Sequence, residues 1–325
     1  KFAKHNLRNI LTEADPDTDW TDYIRYSLTQ HIFSFLPSQE NAIRKGLLKF
    51  ETAFSLKMPT SAGKSYITEL LIYQELRTNP HAKILYLAPL RSLSRELKLR
   101  FKKVGRHLSF TSRAIYGGST FTIDQDILEE AKLLISTPES FMVMEDSLEE
   151  QLTRFSLVIC DEGQLLDSLN RGISYELLLT RLKRIEGIRY LFLSAFIPNI
   201  EDVNTWLGGR KNDVGDSDYR PCPIKLANIS RGFDLAVKDE NYDTDKYVIK
   251  NFLSNDESEG IGSSQKAKAS ALALKAVSAG PVMLFTARKA GKMGCMAIGQ
   301  EIEGILHQGN LPSPASRSAD SQRLH

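Results

Sequence analysis

Cysteine is scarce in this sequence. Cys160, Cys222 and Cys295 are the only three in 325 residues, and their wide separation leaves no frame for a disulfide scaffold or a zinc cluster. A reducing, cytoplasmic setting fits that usage, or a nuclear one in a eukaryote. Long apolar runs are missing too: nothing approaches the ~18 residues that a membrane-spanning helix needs. The longest candidate, Tyr190 to Pro198, suits a buried strand, so no membrane partner is expected. Charge of one sign is absent, with 42 Lys and Arg against 40 Asp and Glu, and bulk charge therefore names no polyanionic partner. The histidines, His5, His31, His81, His107, His307 and His325, show no ligand spacing, so none takes a metal or catalytic role. The opening KFAKHNLRNI starts at Lys1 and lacks a signal-type apolar stretch. It reads as a cut edge, and the chain as a fragment.

What is present is an alternation of short apolar runs and helix-period segments, the mark of βαβ units and a parallel sheet flanked by helices. Candidate strands are Ala53 to Lys57, Lys83 to Ala88, Ser112 to Tyr116, Lys132 to Ser136, Phe155 to Cys160 and Tyr190 to Ser194. Continuous runs such as LVIC and YLFL suit strands buried on both faces. The pattern sets out residues 1–30 as a helical extension and 31–215 as an α/β domain. Residues 216–264, rich in Gly, Asp, Ser and Pro, form a linking segment. Residues 265–325 begin a second, truncated α/β unit, with a helix from Gln265 to Ser278, a strand at Val282 to Thr286 and an irregular tail.

The candidate strand AFSLK runs straight into MPTSAGKS, Met58 to Ser65, and then into the helix-period segment YITELLIYQEL. Strand, loop and helix in that order make a phosphate cradle, because loop N–H groups and the positive end of the helix face the oxygens. Pro59, Thr60, Ser61 and Ala62 build the loop and Gly63 admits close backbone approach. Lys64 reaches the outer phosphates, and Ser65 can ligate Mg²⁺. Met58 stands where the strict motif has its first Gly. A second strand, FSLVIC, ends in Asp161-Glu162. There Asp161 can hold the Mg²⁺ of bound ATP and Glu162 can orient and deprotonate an attacking water.

The ordered set MPTSAGKS, APLRSL, STPES, DEGQ and LSAFIPN closely resembles superfamily 2 helicases, and within them the Ski2-like group. The likeness covers residues 35–210, with a weaker echo at 280–305. LPSQENAIRKG resembles the Q-motif region, RGISYELLLTRL and IEDVNTWLG resemble segments following motifs II and III, and YRPCPIKL resembles the crossing to a second domain. The resemblance implies a RecA-like P-loop NTPase domain followed by part of a second one. It also implies that Gln39 reads an adenine edge, and that Arg91, Ser92, Thr137 and Ser140 contact a nucleic-acid backbone. Hydroxyl and guanidinium donors suit phosphate oxygens without reading bases. Gly118, in the pair Gly117-Gly118, resembles the glycines of motif Ib, with a simple turn as the alternative.

Two departures bear on coupling. Gln164 stands for the usual His of DExH and can donate and accept like a neutral imidazole. Phe196 replaces the usual Thr of motif III, leaving Ser194 and Ala195 to link nucleotide and nucleic acid. The basic stretch Arg91 to His107 reads either as a nucleic-acid face or as a solvated helix. PVMLFTARKAGKMGCMAI resembles motif IV, or is an ordinary βα unit, and no motif V or VI follows, so weak hydrolysis by this fragment is expected.

The resemblance thus implies an ATP- and Mg²⁺-dependent motor on DNA or RNA, in single-stranded form. Two alternatives stay open, a duplex translocase that separates no strands and a non-catalytic ATP-binding scaffold.

Overall fold

The computed structural model describes residues 6–115, 130–144, 152–222, 224–229, 233–239, 247–286, 291, 294–309 and 311. The chain divides into two compact units, Lys1–Pro221 and Cys222–His325.

The first unit is built on seven strands: β1 (Ala53–Lys57), β2 (Lys83–Leu87), β3 (Ser112–Ile115), β4 (Leu133–Ser136), β5 (Phe155–Cys160), β6 (Arg189–Ser194) and β7 (Val214–Asp216). Their order is β3-β4-β2-β5-β6-β1-β7, and every neighbouring pair is parallel. Strand side chains alternate between two apolar layers, as a period of two requires. Phe54, Leu56, Ile84, Tyr86, Leu157, Ile159, Leu191 and Leu193 enter one layer, while Leu85, Leu87, Val158, Cys160, Tyr190 and Phe192 enter the other. Helices cover both layers, which is why the strands are apolar throughout. On the first side lie α1 (Leu7–Ala14), α2 (Thr21–Thr29), α3 (Pro37–Arg44), α4 (Lys64–Thr78) and α5 (Arg91–Leu108). On the second lie α6 (Pro138–Met144), α7 (Gly172–Leu182) and α8 (Ile200–Trp206).

Six of these strands sit where the apolar runs placed them. The seventh does not stand out in sequence, because Val-Gly-Asp lies in a polar stretch. It becomes a strand only by pairing Val214, Gly215 and Asp216 with Ser55, Leu56 and Lys57 of β1.

The N-terminal helices are part of this unit's core rather than an appendage. Tyr23 Oη donates to Tyr66 O at 3.3 Å, Ser27 Oγ and Tyr66 Oη are 2.7 Å apart, and Tyr73 Oη donates to Asp19 O at 2.6 Å. Gln74 Nε2 donates to Asp15 Oδ2 at 2.6 Å. Every residue of α4 from Tyr66 to Glu75 is consequently buried. A helix enclosed on all sides needs partners for its polar residues. Glu69 finds Arg100 of α5, and Glu75 finds Arg189 of β6.

In the second unit β8 (Lys225–Ile229), β9 (Leu235–Asp239) and β10 (Tyr247–Ile249) form an antiparallel sheet ordered β10-β9-β8. The stretch 216–264, expected as a linking segment, therefore carries strands. Short alternating runs such as KLANI were masked in sequence by the turn residues around them. Helices α9 (Asn255–Ser258), α10 (Gln265–Val277) and α11 (Cys295–Gln308) follow. Ala271 and Leu274 pack with Leu253, Ile305 and Leu311, and Lys266 pairs with Glu301 at 2.7 Å. Val282 to Thr286, expected as a strand, is not one: Met283 and Phe285 are 75% and 89% exposed. An apolar run becomes a strand by pairing, and the sheet described in this unit does not include it.

Candidate functional site

Parallel strands deliver their C-terminal ends to one edge, where loops can converge. In the first unit β6 lies between β1 and β5. The loop after β1, the acid pair after β5 and Ser194 at the end of β6 are therefore neighbours.

The loop from Met58 to Gly63 closes into α4, whose first residue is Lys64. Gly63 has φ +87, and a Cβ built there would lie 2.1 Å from Gln39 Nε2. Only glycine fits, in conformation and in space. Ser61 is also left-handed, with φ 71, and Ala62 N donates to Pro59 O at 3.2 Å. Ser38 Oγ donates to Ala62 O at 3.1 Å and Gln39 Nε2 to Gly63 O at 3.0 Å, so α3 holds the loop from beneath. Gln39 is 4% exposed, and its Oε1 accepts from Leu36 N at 2.8 Å. Donor and acceptor ends of the Gln39 amide, expected at an adenine edge, are thus both bonded to backbone, and the residue braces the phosphate loop.

Lys64 Nζ donates to Met58 O at 3.3 Å and lies 3.9 Å from Glu162 Oε1. Asp161 Oδ1 accepts from Glu162 N at 2.9 Å, and Oδ2 accepts from Tyr86 Oη at 2.8 Å. Burial raises the Asp161 pKa, against the hydrogen bond from Tyr86. Glu162 has φ 50 and ψ 49, a left-handed turn that aims its carboxylate back toward Lys64. Gln164 Nε2 donates to Glu162 Oε2, and Gln164 Oε1 lies 3.0 Å from Ser194 Oγ and 3.3 Å from Ala195 N, which donate to it. A polar chain Lys64, Glu162, Gln164, Ser194 spans the three loops. Phe196 adds nothing polar from its side chain, which is 68% exposed.

The glycine of DEGQ has a reason that sequence reading missed. A Cβ on Gly163 would meet the Phe192 ring at 2.2 Å, inside the packed layer under β6. Gly163→Ala should destabilise the fold by about 1–3 kcal/mol, the usual cost of overpacking. Chemical denaturation checks this.

The expected nucleic-acid contacts divide into two sets. Arg91 and Ser92, on the first turn of α5, are exposed. Thr137 and Ser140 are each 3% exposed. Thr137 Oγ1 donates to Ser140 Oγ at 2.9 Å and accepts from Ser140 N at 3.2 Å. Thr137 thereby caps the start of α6, and the two hydroxyls are bonded to one another. Gly118 lies outside the described residues. Within the basic stretch, Arg91, Arg95, Lys98 and Lys102 fall at helical spacing on the exposed face, while Arg100 turns to Glu69.

A nucleotide phosphate with a divalent cation suits this donor set. The loop closes where a Cβ cannot enter, Lys64 and Ser65 stand at a helix start, and the Asp161 carboxylate oxygens keep further lone pairs.

A phosphate loop and an acid pair on the edge of a helix-flanked parallel sheet define a P-loop nucleotide-binding domain of the RecA-like kind. The sequence profile described as DEAD/DEAH box helicase matches residues 36–203, and the chain belongs to that family. The chain is 33% identical over 203 residues to Hachiman protein HamB of Bacillus cereus, covering 61% of this chain and 18% of that protein. It is 28% identical over 198 residues to the ATP-dependent DNA helicase Hel308 of Methanocaldococcus jannaschii, covering 60% and 16%. It is 31% identical over 187 residues to the RQC trigger complex helicase SLH1 of Saccharomyces cerevisiae, covering 54% and 9%. Hel308 and SLH1 are helicases of the Ski2-like group. The chain thus spans less than a fifth of the length of these relatives. The crystal structure of the DUF1998 helicase MrfA bound to DNA shares the fold with a TM-score of 0.51 at 18% identity, over 62% of this chain and 30% of that one.

Proposed function

We propose that the protein is a nucleic-acid-dependent ATPase that couples ATP hydrolysis to movement along, or unwinding of, DNA or RNA. The observation that carries this is the unbroken polar chain from Lys64 through Glu162 and Gln164 to Ser194 and Ala195. A nucleotide-binding scaffold has no physical need for a carboxylate base held at that place. Lys64 neutralises the outer phosphates and Glu162 takes the proton of the attacking water. Gln164 relays the position of Glu162 to the end of β6. Ser65 and Asp161 would hold Mg²⁺, which when bound offsets charge on the β and γ phosphate oxygens. Exposed Arg91 and Ser92 contact the backbone of one strand, and relatives named as helicases support the same reading.

The test is ATP turnover by the intact protein carrying this sequence, alone and with single-stranded DNA or RNA at stated low salt. Stimulation by one polymer supports the reading and chooses the substrate. Lys64→Ala should weaken nucleotide binding about 30-fold or more, the lower bound for removing a charged partner of phosphate. A wild-type protein that neither polymer stimulates overturns the motor and leaves a scaffold. Stimulation by duplex without release of a labelled strand selects the duplex translocase.

A further inference from the structure

Arg171 lies between the turn Gly163–Asp167 and α7, and the mechanism above makes no use of it. Its guanidinium reaches two other loops. Nε donates to Glu139 Oε1 at 2.5 Å, and a terminal nitrogen donates to Pro89 O at 2.5 Å. Glu139 stands in the first turn of α6, just beyond β4. Pro89 follows β2 and precedes exposed Arg91 and Ser92 by only two and three positions. Arg171 itself follows β5. The strands β4, β2 and β5 are consecutive in the sheet, so one side chain ties the outgoing loops of three adjacent strands.

The geometry depends on a planar fork. Two donors fixed in one plane meet a carboxylate on one side and a carbonyl on another, and an ammonium on a flexible stem has no such preset directions. The ion pair persists at neutral pH: burial pushes the Glu139 carboxyl upward, but its hydrogen bonds, that from Arg171 first, hold it below the usual range.

Building on the proposed function, we propose that Arg171 is a positioning residue that links the backbone-contacting loop at Pro89–Ser92 to the turn bearing Glu162 and Gln164. Nucleic acid seated on Arg91 and Ser92 then sets the base through Arg171, and the nucleotide state sets the grip by the same path, since coupling is reciprocal.

The experiment compares basal and nucleic-acid-stimulated ATP turnover of the intact wild-type protein with Arg171→Ala, Arg171→Lys and Glu139→Gln. It also measures nucleotide affinity and the oligonucleotide concentration giving half-maximal stimulation. Arg171→Ala should keep nucleotide affinity and basal turnover within about twofold while stimulated turnover falls about fivefold or more, the ordinary range of site-to-site coupling. Arg171→Lys should restore only part of it. Equal loss of basal and stimulated rates in all three variants, or full stimulation in Arg171→Ala, overturns the linkage. Should Arg171→Ala unfold, Arg171→Lys and Glu139→Gln decide by the same criterion. A wild-type protein without stimulation overturns the function itself, an outcome distinct from losing the linkage alone.

Discussion

Glu162→Gln should lower ATP turnover by about 10²–10⁴-fold, the span that a positioned general base contributes, while nucleotide affinity stays within about threefold, because the phosphate contacts of the loop and Lys64 are untouched. The substitution is selective because it keeps shape. Glu162 is held by its left-handed backbone turn and by the hydrogen bond from Gln164, and an amide oxygen still accepts that bond. What disappears is the proton acceptor and the negative charge facing Lys64 at 3.9 Å. Single-turnover hydrolysis beside equilibrium nucleotide binding separates the two effects. Turnover that stays near the wild-type rate would remove Glu162 from the role of base.

Arg100→Ala should destabilise the first unit by about 2–3 kcal/mol, because it strands a buried carboxylate. Glu69 is 2% exposed. Its Oε1 accepts from Arg100 Nε at 2.6 Å and its Oε2 from Tyr26 Oη at 3.4 Å. The figure sits below the usual loss for a broken buried pair because 41% of the Arg100 side chain meets water. pH gives a second handle. Burial raises the Glu69 pKa in the folded state, with Arg100 opposing. A group raised on folding contributes stability that is fully present below the unfolded carboxylate pKa and is lost as pH rises through the folded value. Removing Arg100 raises the folded value further. The stability gap between wild type and Arg100→Ala should therefore widen from acid toward neutral pH, and close when Glu69→Gln is added. Urea titrations across that range measure it, and a gap independent of pH would assign the loss to packing of the arginine stem.

The phosphate loop and acid pair of the candidate site were legible because phosphate chemistry demands fixed neighbours in sequence. A glycine, a lysine and a hydroxyl must follow one strand, and adjacent acids must end another. Gln164 was legible as a substitute whose hydrogen-bonding capacity matches the His it replaces, and Ser194 as a hydroxyl retained in its motif. Thr137 and Ser140 were legible as hydroxyl donors, but their burial and the cap that Thr137 makes were not, because a hydroxyl three residues from another gives the same sequence pattern as cap or as phosphate donor. The backbone bonds of Gln39 were hidden in the same way, since an amide satisfies backbone as readily as a base edge. Gly163 and Arg171 lie in segments that the resemblance picked out, but their contacts gave no signal: the first answers to Phe192, which follows it by 29 positions in sequence, and the second to loops leaving two other strands. In the second unit, Lys225–Ile229, Leu235–Asp239 and Tyr247–Ile249 form strands although they lie among turn residues, because pairing rather than apolar period selects them.

The enclosure of α4 constrains where motion can arise. A rod wedged between the sheet and α2, with its polar residues anchored to Asp15, Arg100 and Arg189, cannot tilt or slide without tearing open the interior. The phosphate loop is therefore an anvil rather than a hinge. On the proposed function, a change at the phosphate loop would be felt at the lighter parts facing it, the left-handed turn at Glu162 and the amide of Gln164.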